Sequence, residues 1–283
     1  MCKVWFVTGS SRGFGRQFVE TALARGDKVA ATARNTESLA DLRTAHDVAL
    51  LPLTLDVTDR AAVFESVKRA KEHFGRLDVI VNNAGYGLFG AVEELSEQDI
   101  RDQLEANLFG SLWVTQAALP YLRQQRFGHI LQISSIGGIV AFPGLGGYHA
   151  SKWALEGITE SLAQEVAGFG IKVTLVEPGA FSTDWAGSSA ARAKPISAYE
   201  EIRKVLAAAS RVSEQGDPAR VGPALLKIVD AENPPLRVFF GPAPHQTAKR
   251  AYSERLKTWA AWADPTASSN NTEADCTSQH DTI

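Results

Sequence analysis

The chain has 283 residues, 45% of them hydrophobic and 22% charged, with 29 Lys and Arg against 32 Asp and Glu for a formal net charge of −3. That is a soluble globular composition, long enough to bury a substantial core. It lacks the basic excess of a chain that neutralises many phosphates, and it has no apolar run of bilayer-spanning length, so neither nucleic acid nor membrane is an expected partner.

The first apolar run, Val4 to Val7, is too short for a signal-peptide core, and Cys2 and Cys276 lie at opposite ends of the chain. The reading is a cytoplasmic protein without a disulfide framework. Short apolar runs at Lys3–Val7, Lys28–Thr32, Ala49–Leu55, Leu77–Val81, His129–Ile133, Lys172–Val176 and Leu236–Phe240 predict strands. Helical periodicity falls between them at Gly15–Arg25, Ala61–Phe74, Ile100–Gln125, Tyr148–Ala167 and Pro218–Ala231. Such alternation implies right-handed crossovers, and near-continuous runs such as Val-Trp-Phe-Val imply burial on both sides. The expected fold class is α/β: a single-domain Rossmann fold, a doubly wound seven-stranded parallel sheet with helices on both faces.

Thr8-Gly9-Ser10-Ser11-Arg12-Gly13-Phe14-Gly15 follows the first strand. Glycines there let the backbone turn tightly against a pyrophosphate, which the next helix attracts with its free N–H groups and positive end. A Gly-rich turn alone is equally an ordinary strand-to-helix connection; its place at the first strand–helix junction favours the dinucleotide. The second strand ends in Ala31-Thr32-Ala33-Arg34-Asn35, with no carboxylate to take ribose hydroxyls. Arg34 and Arg12 therefore favour a 2′-phosphate, hence NADP(H), the alternative for each being a solvated surface charge. Asp56, followed by Val57 after the third strand, is placed to accept from the adenine amino group or else to cap a turn.

Ser134 and Ser135 close the fifth strand, and a Gly-rich loop joins them to Tyr148-His149-Ala150-Ser151-Lys152. Tyr148 and Lys152 stand four apart on one helix face, where an ammonium would lower the phenol from its ordinary pKa of about 10. A serine hydroxyl at a strand's carboxyl end reaches the crevice where open α/β sheets bind ligands. Separately, each of these features is also what caps and packing produce.

Together they resemble the short-chain dehydrogenase/reductase family in its single-domain branch. The resemblance spans about Lys3 to Gly241 and rests on the turn Thr8–Gly15, Asn82-Asn83-Ala84-Gly85, Asn107, Ser135 with Tyr148-x-x-x-Lys152, and Pro178-Gly179. It implies that Asn107, Ser135, Tyr148 and Lys152 are the catalytic set, the second serine having the family's spacing to the tyrosine. Asn107 would hold a water that passes protons between Lys152 and solvent. Lys152 would also hold the nicotinamide ribose. Gly9, Ser11, Arg12, Gly13, Phe14, Gly15, Arg34, Asp56, Val57, Asn83, Ala84 and Gly85 would bind the dinucleotide, Asn83 to Gly85 on its adenosine side. Pro178, Gly179 and Thr183 would flank the nicotinamide, the Thr183 hydroxyl near the carboxamide. Phe14 departs from the Ile or Leu common at that position.

The implied activity is NADP(H)-dependent interconversion of a ketone or aldehyde and an alcohol, with Tyr148 as general acid/base and reduction as the expected direction. Two alternatives are a non-catalytic NADP(H)-sensing protein and an extended-branch sugar-nucleotide epimerase or dehydratase, the latter disfavoured by the glycine spacing. Tyr86, Leu88, Phe89, Phe142 and Trp185 are candidates for an apolar pocket taking a medium-sized or bulky small-molecule carbonyl or alcohol substrate, or else they pack loops. His149 is expected in a structural or rim position. Ile100, Leu104, Leu108, Leu112 and Leu119 leave room for the helix pairing that makes homodimers or homotetramers in this family, though core burial accounts for them equally.

The expected organisation is an oxidoreductase domain over 1–263, with a strandless insertion at 180–216 and a C-terminal helical extension at 242–263. The tail 264–283 is polar, with Asp264, Glu273, Asp275 and Asp281 and no Lys or Arg, and is expected to be disordered. Without those four acids, 28 acidic residues face 29 basic ones, so the mild acidity belongs to the tail.

Overall fold

A computed structural model describes residues 2–212 and 214–264; the tail beyond Asp264, with Cys276, lies outside the described residues. Seven strands form one parallel sheet: β1 (Val4–Val7), β2 (Lys28–Ala33), β3 (Leu50–Thr54), β4 (Val79–Asn82), β6 (Gly128–Ile133), β7 (Ile171–Pro178) and β9 (Arg237–Phe240). Their order is β3-β2-β1-β4-β6-β7-β9, the doubly wound arrangement expected. Two two-residue strands, β5 (Leu88–Phe89) and β8 (Ala191–Arg192), pair in parallel apart from it.

Period-two alternation divides the apolar strand residues between two cores. Trp5, Val7, Val29, Ala31, Val79 and Val81 meet α1 (Gly13–Ala24), α2 (Ala40–His46) and α8 (Val221–Asp230) on one face. Val4, Phe6, Ala30 and Ile80 meet α3 (Arg60–Phe74), α5 (Gly110–Gln125) and α6 (Gly146–Val166) on the other. Trp5, Phe6, Phe18, Ile80 and Ile130 are completely enclosed, which is why these runs carry no polar alternation. Among the described residues no helix is long and apolar enough to cross a membrane.

Three expectations need correction. The helix drawn over Ile100–Gln125 starts at Glu97, capped by Ser96, whose hydroxyl accepts from Asp99 N, and it is interrupted. After α4 (Glu97–Leu104), residues Glu105–Phe109 form a π-turn, the Gly110 N–H reaching back to the Glu105 carbonyl, before α5 begins. Second, α2 has no counterpart in the predicted elements, since its seven residues bury only Leu42. Third, the insertion is not strandless: β8 docks on β5 before α7 (Glu200–Val212) begins. The expected C-terminal helix is α9 (Pro244–Ala261).

Candidate active site

The sheet order reverses between β1 and β4, and the loops at the carboxyl ends of the strands there enclose a cavity of about 1220 Å³. Of the residues assigned a catalytic, cofactor or substrate role from the sequence, all line this cavity except Gly15, Asn107 and Leu88.

The glycine turn is built for close approach. Gly9 and Gly13 sit at φ +67° and +57°, the left-handed region that favours glycine. Gly15 lies beneath the turn, where a Cβ would fall 2.2 Å from the Gly9 carbonyl oxygen and 2.5 Å from Asn83 Nδ2. Helix α1 has no side-chain cap on its first N–H groups, leaving donors and the positive helix end directed at the turn. Gly15→Ala should cost about 1–3 kcal/mol of stability by overpacking and, with the cradle overfilled, should leave the melting temperature unmoved by NADPH, where a rise is expected for the wild type. A melting curve with and without NADPH checks both.

Asn83 has a more specific task than lining the pocket. Its Nδ2 donates to the carbonyls of Thr8 (2.9 Å) and Gly9 (3.1 Å), while the Thr8 hydroxyl accepts from the N–H groups of Asn83 and Ala84. Strand ends β1 and β4 are thereby clamped together, a role of Thr8 that the sequence did not single out. Phe14, larger than the residue common in the family, packs edge-on to Phe181 at 4.8 Å between centroids.

Arg34 is exposed and, among the described residues, has no hydrogen-bond or ion-pair partner. Arg12 spans the cavity mouth to Asp184 Oδ2 (3.2 Å) and Ser188 Oγ (3.3 Å). With both side chains of the ion pair about half exposed, that strap is worth at most about 1 kcal/mol and yields readily to a better anion. Asp56 spends one carboxylate oxygen on Thr58 N and Oγ1, which is the turn-capping alternative, and the residue lines the cavity.

On the cavity floor Tyr148 is buried, with 6% exposure. Burial pushes its phenol up to about 12, the Ser135 hydroxyl opposing. Lys152 Nζ lies 5.9 Å from the Tyr148 ring centroid and donates to the Ile133 carbonyl at 2.7 Å. Burial brings this ammonium down to about 8, with Glu156 opposing. Burial thus moves Tyr148 in the direction opposite to the lowering expected from Lys152, favouring the phenol. The Ser135 hydroxyl accepts from Gly137 N at 2.9 Å, which fixes its position at the end of β6.

Asn107 is completely buried in the π-turn and does not reach the cavity. Its Oδ1 accepts from Tyr86 N (3.0 Å) and its Nδ2 donates to the Tyr86 carbonyl (3.0 Å) and to Ser151 Oγ (3.1 Å). The side-chain amide thereby braces the β4 loop against α6. The Thr183 hydroxyl likewise caps a turn by accepting from Trp185 N at 3.4 Å. His149 is structural: Nε2 accepts from Phe142 N, so Nδ1 carries the proton and donates to the Gly137 carbonyl, both at 2.8 Å. It holds the loop between Ser135 and Tyr148.

The far end of the cavity is aromatic. Trp185 stands edge-on to Tyr148 with ring centroids 5.0 Å apart and lies 5.3 Å from Phe89. It fits only because residue 87 is glycine, whose Cβ would be 2.6 Å from the indole. Glu94, absent from the sequence-derived candidates, holds the insertion down: its carboxylate accepts from Ile196 N (2.7 Å), Ala91 N (2.7 Å) and Arg203 (2.5 Å). No local signal marks such a residue, because two of its partners lie about a hundred positions away.

A family model for short chain dehydrogenase matches residues 3–194, and the chain belongs to that family of oxidoreductases. It is 45% identical to an oxidoreductase of Botryotinia fuckeliana over 255 residues, covering 89% of this chain and 93% of the relative. It is 36% identical to 3-ketodihydrosphingosine reductase of Bacteroides thetaiotaomicron, covering 85% and 88% respectively. Among solved structures, a short-chain dehydrogenase from Streptomyces avermitilis superposes with TM-score 0.88 at 39% identity, covering 93% of this chain and 96% of that one. A Burkholderia phymatum relative in complex with NAD gives TM-score 0.78 at 25% identity, covering 90% and 95%. A Burkholderia cenocepacia relative in complex with NADP gives 0.73 at 26%, covering 93% and 98%. A nicotinamide dinucleotide is thus the cofactor class, and the glycine cradle and uncapped α1 fit it.

Proposed function

We propose that the protein is an NADP(H)-dependent carbonyl reductase that acts on medium-sized or bulky apolar ketones or aldehydes. The observation that carries this reading is geometric: the buried Tyr148 side chain, with Lys152 Nζ 5.9 Å from its ring, lines the same cavity as Ser135 and the glycine turn, and burial favours the phenol, the form that donates a proton to a carbonyl oxygen. The preference for the 2′-phosphate rests on unpaired Arg34 and on the missing carboxylate at the end of β2.

The dinucleotide supplies the hydride. Ser135 donates a hydrogen bond to the carbonyl oxygen, Tyr148 transfers its proton to that oxygen as the carbon receives the hydride, and Lys152 passes a proton to the resulting phenolate. Asn107 keeps the loop carrying Tyr86 fixed against α6. Arg12 would exchange Asp184 for phosphate. The aromatic wall of Phe89, Phe142 and Trp185 supports an apolar substrate, as does the keto-lipid named for the Bacteroides relative.

A panel of aromatic, alicyclic and long-chain ketones and aldehydes, followed by NADPH absorbance, tests the reading: consumption with the bulkier members is expected, and none with any member overturns it. The same assay gives a pH profile. Tyr148, near 12, stays protonated throughout the working range, whereas the Lys152 ammonium is present below about 8 and lost as pH rises through that value. We expect kcat/KM for reduction to be level from about pH 6 to 7 and to fall by about tenfold per unit above 8. A profile rising through that interval would contradict the assignment.

A further inference from the structure

Beyond Lys152, outside the lining of the cofactor cavity, lies a charge cluster that the proposed reaction does not use. Glu156 follows Lys152 by one helical turn on α6, hence on the same face. Its Oε2 accepts from Arg237 Nε at 3.0 Å, while Oε1 has no hydrogen-bond partner. Glu177, the residue of β7 just before Pro178, is completely enclosed and neither of its oxygens is hydrogen-bonded, its nearest cation being the same Arg237 Nε at 3.4 Å. Arg237 also reaches Glu160, which is half exposed. The Ser134 hydroxyl faces Glu156, and Gly138 leaves room for both, a Cβ there falling 2.7 Å from Ser134 Oγ and 3.0 Å from Glu156 Cγ. From α9, His245 and Lys249 line a second cavity of about 500 Å³ that reaches Glu177, Glu160 and Arg237.

Three carboxyl groups here face two buried or half-buried cations, Lys152 and Arg237. Two carboxylates held by one guanidinium nitrogen cannot both keep their charge cheaply where water is excluded. One retained proton makes the five groups neutral. That proton belongs on Glu177, which lacks every hydrogen bond that would favour its anion, whereas Glu156 has Arg237 at hydrogen-bonding distance. Burial, reinforced by Glu156, pushes the Glu177 carboxyl up to about 8, in keeping with this assignment. Burial raises Glu156 as well, with Ser134, Arg237 and Lys152 opposing; what distinguishes it from Glu177 is the hydrogen bond its Oε2 accepts from Arg237.

We propose that Glu156 is a positioning residue of the active site: held by Arg237, it is the buried counter-charge that keeps Lys152 in its ammonium form, while Glu177 carries the proton of the pair. The use of that ammonium in turnover rests on the function proposed above; the charge assignment itself does not. It is therefore tested on the full chain without cofactor, by trace labelling of lysines with acetic anhydride across pH 6 to 11 and peptide mass spectrometry at Lys152. In Glu156→Gln the pH of half-maximal labelling should fall by about one unit. In Glu177→Gln, which replaces a protonated carboxyl by an isosteric neutral amide, it should stay at the wild-type value. Glu156→Asp, which keeps the charge, should lie closer to wild type than Glu156→Gln does. An unmoved midpoint in a folded Glu156→Gln would reduce Glu156 to a packing role, and a fall in Glu177→Gln as large as in Glu156→Gln would place the charge on the wrong residue. Either result overturns the proposal. If no carbonyl were reduced, the labelling midpoints would still read out, so the two failures are distinguishable.

Discussion

Tyr148→Phe is expected to reduce turnover on an accepted ketone by about 10²–10⁴-fold, the usual contribution of a positioned general acid, while NADPH affinity changes by less than about threefold. The substitution removes one oxygen from a side chain that is 6% exposed and keeps the ring that packs edge-on to Trp185. The cavity therefore retains its shape, and the loss falls on kcat instead of binding. Stopped-flow measurement of a single turnover, paired with a fluorescence titration of NADPH, separates the two. Wild-type rates in the variant would remove Tyr148 from the chemistry altogether.

Arg34→Ala has the second largest expected effect, confined to one cofactor. A charge-assisted hydrogen bond contributes about 1.5–3 kcal/mol, so NADPH should bind about 10–150-fold more weakly while NADH affinity barely moves. Because Arg34 is exposed and has no hydrogen-bond or ion-pair partner among the described residues, its removal should leave the fold intact, and the ratio of the two dissociation constants reads the 2′-phosphate interaction. Equal losses for both cofactors would mean that Arg34 does not distinguish them. Arg12, already tied to Asp184, should show a smaller ratio, since releasing that strap offsets part of its gain.

The sheet was legible because its strands are buried on both faces and so read as unbroken apolar runs: Val4–Val7 and Val79–Val81 serve two cores by alternation. The glycine turn was legible for a related reason, since Gly9 and Gly15 answer to backbone approach, a local requirement visible in a single motif. What periodicity could not show was the break at Glu105–Phe109, because a π-turn preserves the apolar content of the helix while shifting its phase. That shift accompanies the inward seat of Asn107, bonded to Tyr86 and Ser151 instead of facing the cavity. Two-residue strands such as β5 and β8 are below the length at which alternation means anything. Glu94, Glu156 and Glu177 escaped for a different reason. Each is a single acidic residue whose significance lies in what burial and distant partners do to its charge, and sequence carries no measure of either.

The central claim is that hydride passes from the dinucleotide to a carbonyl carbon in the cavity floored by Tyr148. The most direct measurement is a reduction run with NADPH deuterated at nicotinamide C4 on the face used, each epimer tested in turn, with the product alcohol analysed by mass spectrometry. One epimer should deliver a single deuterium to the carbinol carbon, and Tyr148→Phe should suppress that transfer. Product without deuterium from either epimer, or no product from any carbonyl, would contradict the account.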